Sequence, residues 1–270
     1  MRHYFAEPSH GAVWVTGASS GIGAALALKL AQAGYTVVAT ARGEDKLNEL
    51  AAKASTAKGR IHPMPGDVTD EADMARIVDS ILSQHGKLAL AIFNAGVYIP
   101  VHGNELKVED FHKTFAVNLN GVVNGLVPTV NAMQRAGRGH IAIVSSVTGY
   151  GGLPTSAAYG ATKAALTNMA ESLKFDLDKM NIRIQAVHPG FVDTPATEKN
   201  EFAMPALMKV DDAVDRIIEG LKRPGFEITF PKRFTYALKF LGLFPYPVYF
   251  AAINRMTGWS KRPLESRGSD

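Results

Sequence analysis

A tyrosine and a lysine stand four positions apart in the run Tyr159-Gly160-Ala161-Thr162-Lys163. On a helix that spacing puts both side chains on one face. An ammonium beside a phenol favours the phenolate and lowers its pKa from about 10. A phenol tuned in this way is a suitable general acid or base. Any amphipathic helix can carry such a pair, so its meaning depends on what the fold brings beside it. Upstream, Ser145 and Ser146 close a β-rich apolar run. The C-terminal ends of strands are where open α/β sheets place ligands. A serine there can hydrogen-bond a carbonyl oxygen that the tyrosine protonates, or it can cap a turn.

A second constellation lies near the start of the chain. Thr16-Gly17-Ala18-Ser19-Ser20-Gly21-Ile22-Gly23 follows an apolar run and opens a helical pattern. Glycines at these points allow a tight turn and let backbone approach a pyrophosphate, and the helix N-terminus then offers free N–H groups. The spacing is G-x-x-x-G-x-G. Past the next apolar run the sequence reads Thr40-Ala41-Arg42-Gly43, with no carboxylate before Glu44. A carboxylate there would bind both ribose hydroxyls of NAD, whereas the planar guanidinium of Arg42 can pair with a 2′-phosphate. The expected cofactor is NADP(H).

These residues need a scaffold that brings them together. Strand-like runs occupy residues 12–16, 36–40, 61–65, 88–93, 141–145, 183–188 and 227–230. Helical patterns fill residues 21–33, 44–58, 70–85, 105–135, 157–179 and 211–221. The strands are near-continuous apolar runs, as in a parallel sheet covered on both faces. Their alternation with helices predicts a doubly wound α/β sheet of Rossmann type with a C-terminal extension, read as a single domain over residues 1–270. The chain has 270 residues, 46% of them hydrophobic, and no cysteine. That excludes disulfides, thiolate metal sites and a cysteine nucleophile. The eight histidines show no ligand spacing, so no metal is expected. A net charge of +4 is too mild to argue for nucleic acid.

Together these motifs resemble the short-chain dehydrogenase/reductase family over about residues 12–194. They appear in the family's order: the glycine turn of residues 16–23, Asp67-Val68, Asn94-Ala95-Gly96, Asn118, Ser146, Tyr159 with Lys163, and Pro189-Gly190. Ser146 is chosen over Ser145 because it precedes Tyr159 by 13 residues, the family's spacing. The resemblance implies a seven-stranded sheet in the order 3-2-1-4-5-6-7. It also implies a hydride-transferring oxidoreductase acting on a carbonyl or secondary alcohol. Tyr159 would exchange the proton and Ser146 would orient the substrate oxygen. Lys163 would hold the nicotinamide ribose and tune Tyr159, and Asn118 would carry a water that relays protons. Gly17, Ser19, Ser20, Gly21, Ile22 and Gly23 would hold the phosphates, and Arg42 the 2′-phosphate. Asp67 and Val68 would flank the adenine, with Asn94, Ala95 and Gly96 lining the groove. Pro189, Gly190, Val192 and Thr194 would meet the nicotinamide end. The rival is a catalytically silent NADP(H)-binding sensor or scaffold. Such proteins usually lose part of the tetrad, and all four members stand here. Taken without the resemblance, Asn118 reads as a satisfied core amide and Asp67 as a turn residue.

The C-terminal part departs from the family pattern, in which a glycine-rich tail packs at a tetramer axis. Residues 222–262 hold eight basic residues against Glu227 alone, and 10 of the 23 aromatics. The apolar stretch 234–253 is long enough to cross a bilayer but is interrupted by Lys239, Gly242, Pro245 and Pro247. A cytoplasmic protein is expected, peripheral to the inner membrane surface at most. Phe234, Phe240, Phe244, Tyr249 and Trp259, with Lys239, Arg255 and Lys261, suit either a helical cap over the pocket or a membrane contact, the cap being favoured. Residues 195–210, with Phe202, Met204, Pro205, Leu207 and Met208, would form an apolar substrate loop. Tyr98, Thr148, Tyr150, Leu153 and Phe191 would shape the pocket. A homodimer through residues 105–135 and 157–179 is favoured over the tetramer, and the substrate is expected to be an apolar ketone or aldehyde.

Overall fold

A computed structural model describes residues 4–197 and 204–263. Seven strands form one parallel sheet in the order β3-β2-β1-β4-β5-β6-β7. They are β1 (Ala12–Thr16), β2 (Thr36–Thr40), β3 (Arg60–Pro63), β4 (Leu88–Phe93), β5 (Gly139–Val144), β6 (Ile182–Pro189) and β7 (Glu227–Phe230). The helices are α1 (Gly21–Gln32), α2 (Glu44–Lys53), α3 (Glu71–His85), α4 (Val108–Phe115), α5 (Gly121–Arg135), α6 (Ala157–Leu177), α7 (Val210–Leu221), α8 (Lys232–Leu241) and α9 (Tyr246–Thr257).

Every residue of β1, β4, β5 and β6 is buried. That is why these strands read as continuous apolar runs: both faces of the sheet are covered. One core layer takes Val13, Val15 and Val37 against Leu26, Leu30 and Ile217 from α1 and α7. The other takes Trp14, Phe93 and Ile141 against Ile77, Leu126 and Leu166 from α3, α5 and α6. The chain order reverses between β1 and β4. The crevice above that reversal is where a doubly wound sheet receives its ligand.

Three differences from the sequence reading have local causes. Helix α2 stops at Lys53 instead of continuing to residue 58. The Gly59 N–H donates to the Ala31 carbonyl at 2.8 Å and pulls the chain back to lay β3 beside β2. The single helix expected over 105–135 is α4 and α5 joined through a π-helical turn, Ala116–Asn120. Such turns insert one extra residue and re-aim a side chain, frequently at functional sites. The apolar stretch 234–253 is broken at Gly242 and Pro245 into α8 and α9. Among the described residues, no helix is long and apolar enough to cross a membrane.

Candidate active site

Tyr159 sits in the first turn of α6, and Lys163 lies one turn on, 3% exposed. Ser146 follows β5 in an extended conformation and accepts the Thr148 N–H at 3.2 Å. It therefore caps the short 3-10 turn Val147–Gly149 while still hydrogen-bonding the Tyr159 hydroxyl. Ser145 does different work. Its hydroxyl donates to the Lys163 carbonyl at 2.8 Å, lies 3.0 Å from the Thr167 hydroxyl, and is buried against α6. The structure thus separates the two serines as the spacing does: one faces the pocket, the other fastens helix to strand.

The electrostatics overturn one expectation. The Lys163 ammonium lies 5.4 Å from the centre of the Tyr159 ring, yet the phenol is not acidified. Burial pushes Tyr159 up to about 12, and the Ser146 hydrogen bond only partly opposes it. Burial also pushes Lys163 down to about 8. Its ammonium donates to the Val144 carbonyl at 2.7 Å. Tyr98 packs edge-on against Tyr159, ring centres 5.3 Å apart, and shares a 2.6 Å hydrogen bond with Thr155. The phenol is thus held in one orientation and in its protonated form.

Asn118 occupies the π-helical turn and is fully buried. Its carboxamide oxygen accepts the Val97 N–H at 2.7 Å, and its nitrogen donates to the Val97 carbonyl at 2.9 Å. The side chain is a clamp on the loop segment after Gly96, in keeping with the plainer reading of it as a satisfied amide. A Cβ on Gly96 would stand 3.4 Å from the Asn118 oxygen and 3.7 Å from the Lys163 nitrogen. Asn118, Lys163 and Gly96 therefore converge at one point beside Tyr159.

The glycine turn lies at the other end of the same crevice. Gly17 and Gly21 have φ of +66° and +53°, a region that L side chains avoid. A Cβ on Gly17 would approach the Ala95 Cα to 2.7 Å, and one on Gly23 would overlap the Gly17 carbonyl oxygen. Asn94 fixes this turn: its side-chain nitrogen donates to the Thr16 carbonyl at 3.1 Å and the Gly17 carbonyl at 3.3 Å. The Thr16 hydroxyl accepts the N–H groups of Asn94 and Ala95. Helix α1 opens at Ser20 with no side-chain cap on its first N–H groups, and Ser20 is exposed. That bare helix end above closely spaced glycines is a cradle for phosphate. Thr194 comes within 3.4 Å of the space over Gly21, and Arg42 is exposed beyond β2. Asp67 holds Thr69 through two 2.9 Å hydrogen bonds, and Val68 packs on Gly121. The residues present fit a dinucleotide laid along the crevice.

A cavity of about 130 Å³, open at its mouth, leads to Ser146 and Tyr159. Tyr98, Thr148, Leu153, Pro154, Phe191 and Phe234 form much of its wall. The Thr148 hydroxyl is buried there without a hydrogen-bond partner. Ala196, Thr197 and Pro205 of the expected substrate loop reach the cavity, while Leu207 is exposed and Met208 bridges to Val192. Phe202 lies outside the described residues. Tyr150 does not line this cavity. It stacks on His188 on the far side, and its hydroxyl donates to Glu227 at 2.7 Å. Phe234 and Trp259 stand where a cap over the pocket would put them, whereas Met256, Thr257 and Arg262 join the wall without having been singled out in the sequence. These three come from the far end of the extension and carry no motif.

Comparison with known proteins gives four concordant matches. The family model for short chain dehydrogenase matches residues 11–204. A Myxococcus xanthus protein described as an uncharacterized oxidoreductase is 35% identical over 251 residues, covering 93% of this chain and 99% of the relative. A short-chain dehydrogenase from Sphingobium yanoikuyae, solved in complex with NADPH, superposes with a TM-score of 0.75 at 25% identity, over 96% of this chain and 98% of the other. A short-chain dehydrogenase from Mycobacterium paratuberculosis, solved bound to NAD, gives 0.72 at 26% identity over 81% and 95%.

Proposed function

The chain belongs to the short-chain dehydrogenase family, and from that membership we propose that it is an NADP(H)-dependent reductase of an apolar ketone or aldehyde. The observation that carries this reading is the protonated Tyr159, hydrogen-bonded to Ser146 above the buried Lys163, at the floor of an apolar cavity. The nicotinamide group, when bound, supplies hydride to the substrate carbon or accepts it in reverse.

The chain's own residues would do the rest. Ser146 donates a hydrogen bond to the substrate oxygen, and Tyr159 gives that oxygen its proton as negative charge develops. The Lys163 ammonium stabilises the phenolate left behind and holds the ribose. Asn118 keeps Gly96 and Val97 in place beside Lys163, and its expected water relay belongs to this proposal. Gly17, Ser19, Ser20, Gly21, Ile22 and Gly23 hold the pyrophosphate. Asp67 and Val68 flank the adenine, and Asn94, Ala95 and Gly96 line the groove. Pro189, Gly190, Val192 and Thr194 face the nicotinamide end.

NADP(H) is preferred to NAD(H) on the strength of Arg42, the exposed cation beyond β2, with no carboxylate between that strand and Glu44. We assign residues 195–210 as the substrate loop and 231–270 as an extension of a single domain. A homodimer would use the face of α4, α5 and α6 that exposes Val108, Val123, Val127 and Phe175. The absence of cysteine fits a cytoplasmic protein, peripheral at the inner membrane surface.

NADPH oxidation by the purified protein against carbonyl compounds of increasing size tests the reading. Turnover should rise with apolar bulk and fall by about 10²–10⁴ in Tyr159→Phe. NADPH binding with no turnover on any compound would transfer the assignment to the silent sensor. Arg42→Ala should weaken NADPH binding about tenfold or more and leave NADH binding unchanged. Equal dissociation constants for the two cofactors in the native protein would sink the preference.

A further inference from the structure

From residue 228 to residue 264 the chain contains no carboxylate, but six cations: Lys232, Arg233, Lys239, Arg255, Lys261 and Arg262. The fold shows which of these are free. Lys239 is taken by Glu227, which also accepts the Tyr150 hydroxyl. Lys232, Arg233, Arg255 and Lys261 are exposed. Helices α8 and α9 form a hairpin whose inner side packs through Leu238, Tyr249 and Ile253, the Tyr249 hydroxyl donating to the Gly152 carbonyl at 3.0 Å.

The outer side of the hairpin is apolar and uncovered. At its tip Leu243 is 80% exposed and Tyr246 76%, with Phe240 at 63% and Phe250 at 55%. Phe240 packs edge-on against Phe244, and Tyr246 stacks on Phe250, so the exposed rings pair up on either side of the turn. Large exposed apolar patches rimmed by polar groups mark interaction sites. Of the aromatics and cations expected to face a membrane, Phe234 and Trp259 instead line the cavity, Tyr249 is buried and Lys239 is paired.

We propose that the tip of the α8–α9 hairpin docks on an anionic phospholipid surface, with Leu243, Phe244 and Tyr246 entering the interface and Lys232, Arg233, Arg255 and Lys261 meeting the headgroups. Charge selects this occupant. A two-fold contact with a second copy would bring the exposed cations of one α8–α9 segment towards those of the other. An anionic bilayer offers the opposite sign together with an apolar layer for the rings. The placement also has a consequence for the cavity. Met256, one residue beyond Arg255, is 45% exposed and lines the cavity, as do Thr257 and Trp259. The docked face and the cavity therefore share α9, and an apolar carbonyl compound drawn from the bilayer would travel about 15 Å along that helix, from Tyr246 to Met256. The docking stands on the exposed surface alone; only this delivery rests on the reductase reading.

The full chain is sedimented with vesicles of phosphatidylcholine, and of phosphatidylcholine with phosphatidylglycerol, and its mass in solution is measured by light scattering. Partition should favour the anionic vesicles about tenfold or more and weaken as salt is added. Removing three cations in Lys232→Gln/Arg233→Gln/Arg255→Gln should cost roughly a hundredfold in partition, at about fivefold per cation. Leu243→Asp/Tyr246→Asp should abolish binding while turnover of a short water-soluble ketone, the control for folding, stays unchanged. The proposal is overturned if the native protein does not prefer anionic vesicles, or if neither variant changes partition. It is overturned too if the tip variant splits a larger assembly while the native protein stays off vesicles, because the patch then covers a second copy. Vesicle binding needs no turnover, so a protein that binds lipid and reduces nothing would refute the reductase reading and leave the docking standing.

Discussion

The most demanding prediction concerns pH. Lys163 is buried at the meeting point of β5 and α6, and burial lowers its pKa from 10.5 to about 8. Tyr159 is raised to about 12. The reductive reaction needs Tyr159 protonated and Lys163 charged. The first condition holds throughout the neutral and mildly alkaline range. The second is lost as pH rises through 8: about 90% of the lysine carries its charge at pH 7, and about 10% at pH 9. The kcat/KM for the cofactor reports ionisations of the enzyme before the cofactor binds. Reductive kcat/KM should therefore be level from pH 6 to about 7 and fall tenfold per unit above 8. Lys163→Met should lower it by about 10²–10⁴ and remove the alkaline limb, since the titrating group is gone. The measurement is NADPH oxidation at limiting cofactor across the pH series, with both proteins checked for folding at each pH. A native inflection near 10.5 would show that the lysine is solvated before the cofactor arrives. A limb that survives in Lys163→Met would show that another group titrates. Either outcome refutes the reasoning.

Other predictions follow from the packing. Gly23→Ala places a methyl against the Gly17 carbonyl and the Asn94 side chain, both fixed by hydrogen bonds. Overpacking of about 1–3 kcal/mol should lower Tm by several degrees and weaken cofactor binding, read by thermal melts with and without NADPH. His140 and His188 are each 1% exposed, and burial lowers their pKa values to about 3 and about 4. The unfolded chain takes protons at both below about pH 6.5 and the folded chain refuses them, so stability is lost as pH falls from 6.5 towards 4. The loss is about 3–6 kcal/mol, measurable by urea titration, and His188→Gln should remove about half of it. Burial works against the Glu227 carboxylate, but hydrogen bonds from Lys239 and Tyr150 outweigh it and hold its pKa below the usual range. Glu227→Gln should loosen α8, seen as faster hydrogen exchange there, and raise KM for bulky substrates more than it lowers kcat.

What the sequence determined by itself was whatever a short stretch of backbone dictates. The strands from Ala12, Thr36, Leu88 and Glu227 were legible with their ends, because a strand buried on both faces has few polar residues and stops where they resume. The glycine turn and the Tyr159–Lys163 pair were legible because each is local: φ of +66° at Gly17 admits little besides glycine, and i, i+4 spacing fixes a helix face. The choice of Ser146 over Ser145 came from the family resemblance, through a count along the chain. Contacts between distant segments were decided by tertiary structure alone. Burial raises Tyr159 against the pull of Ser146, and burial depends on every element packed around a side chain. Asn118 clamps Val97, 21 residues away, because a π-helical turn aims it there. Tyr150 turns from the cavity to His188 and Glu227, 38 and 77 residues beyond it, while Met256 and Thr257 arrive from α9 to complete the wall. A pattern in sequence reports the face a residue presents. Which partner meets that face, and how dry the contact is, depends on where the chain returns in space.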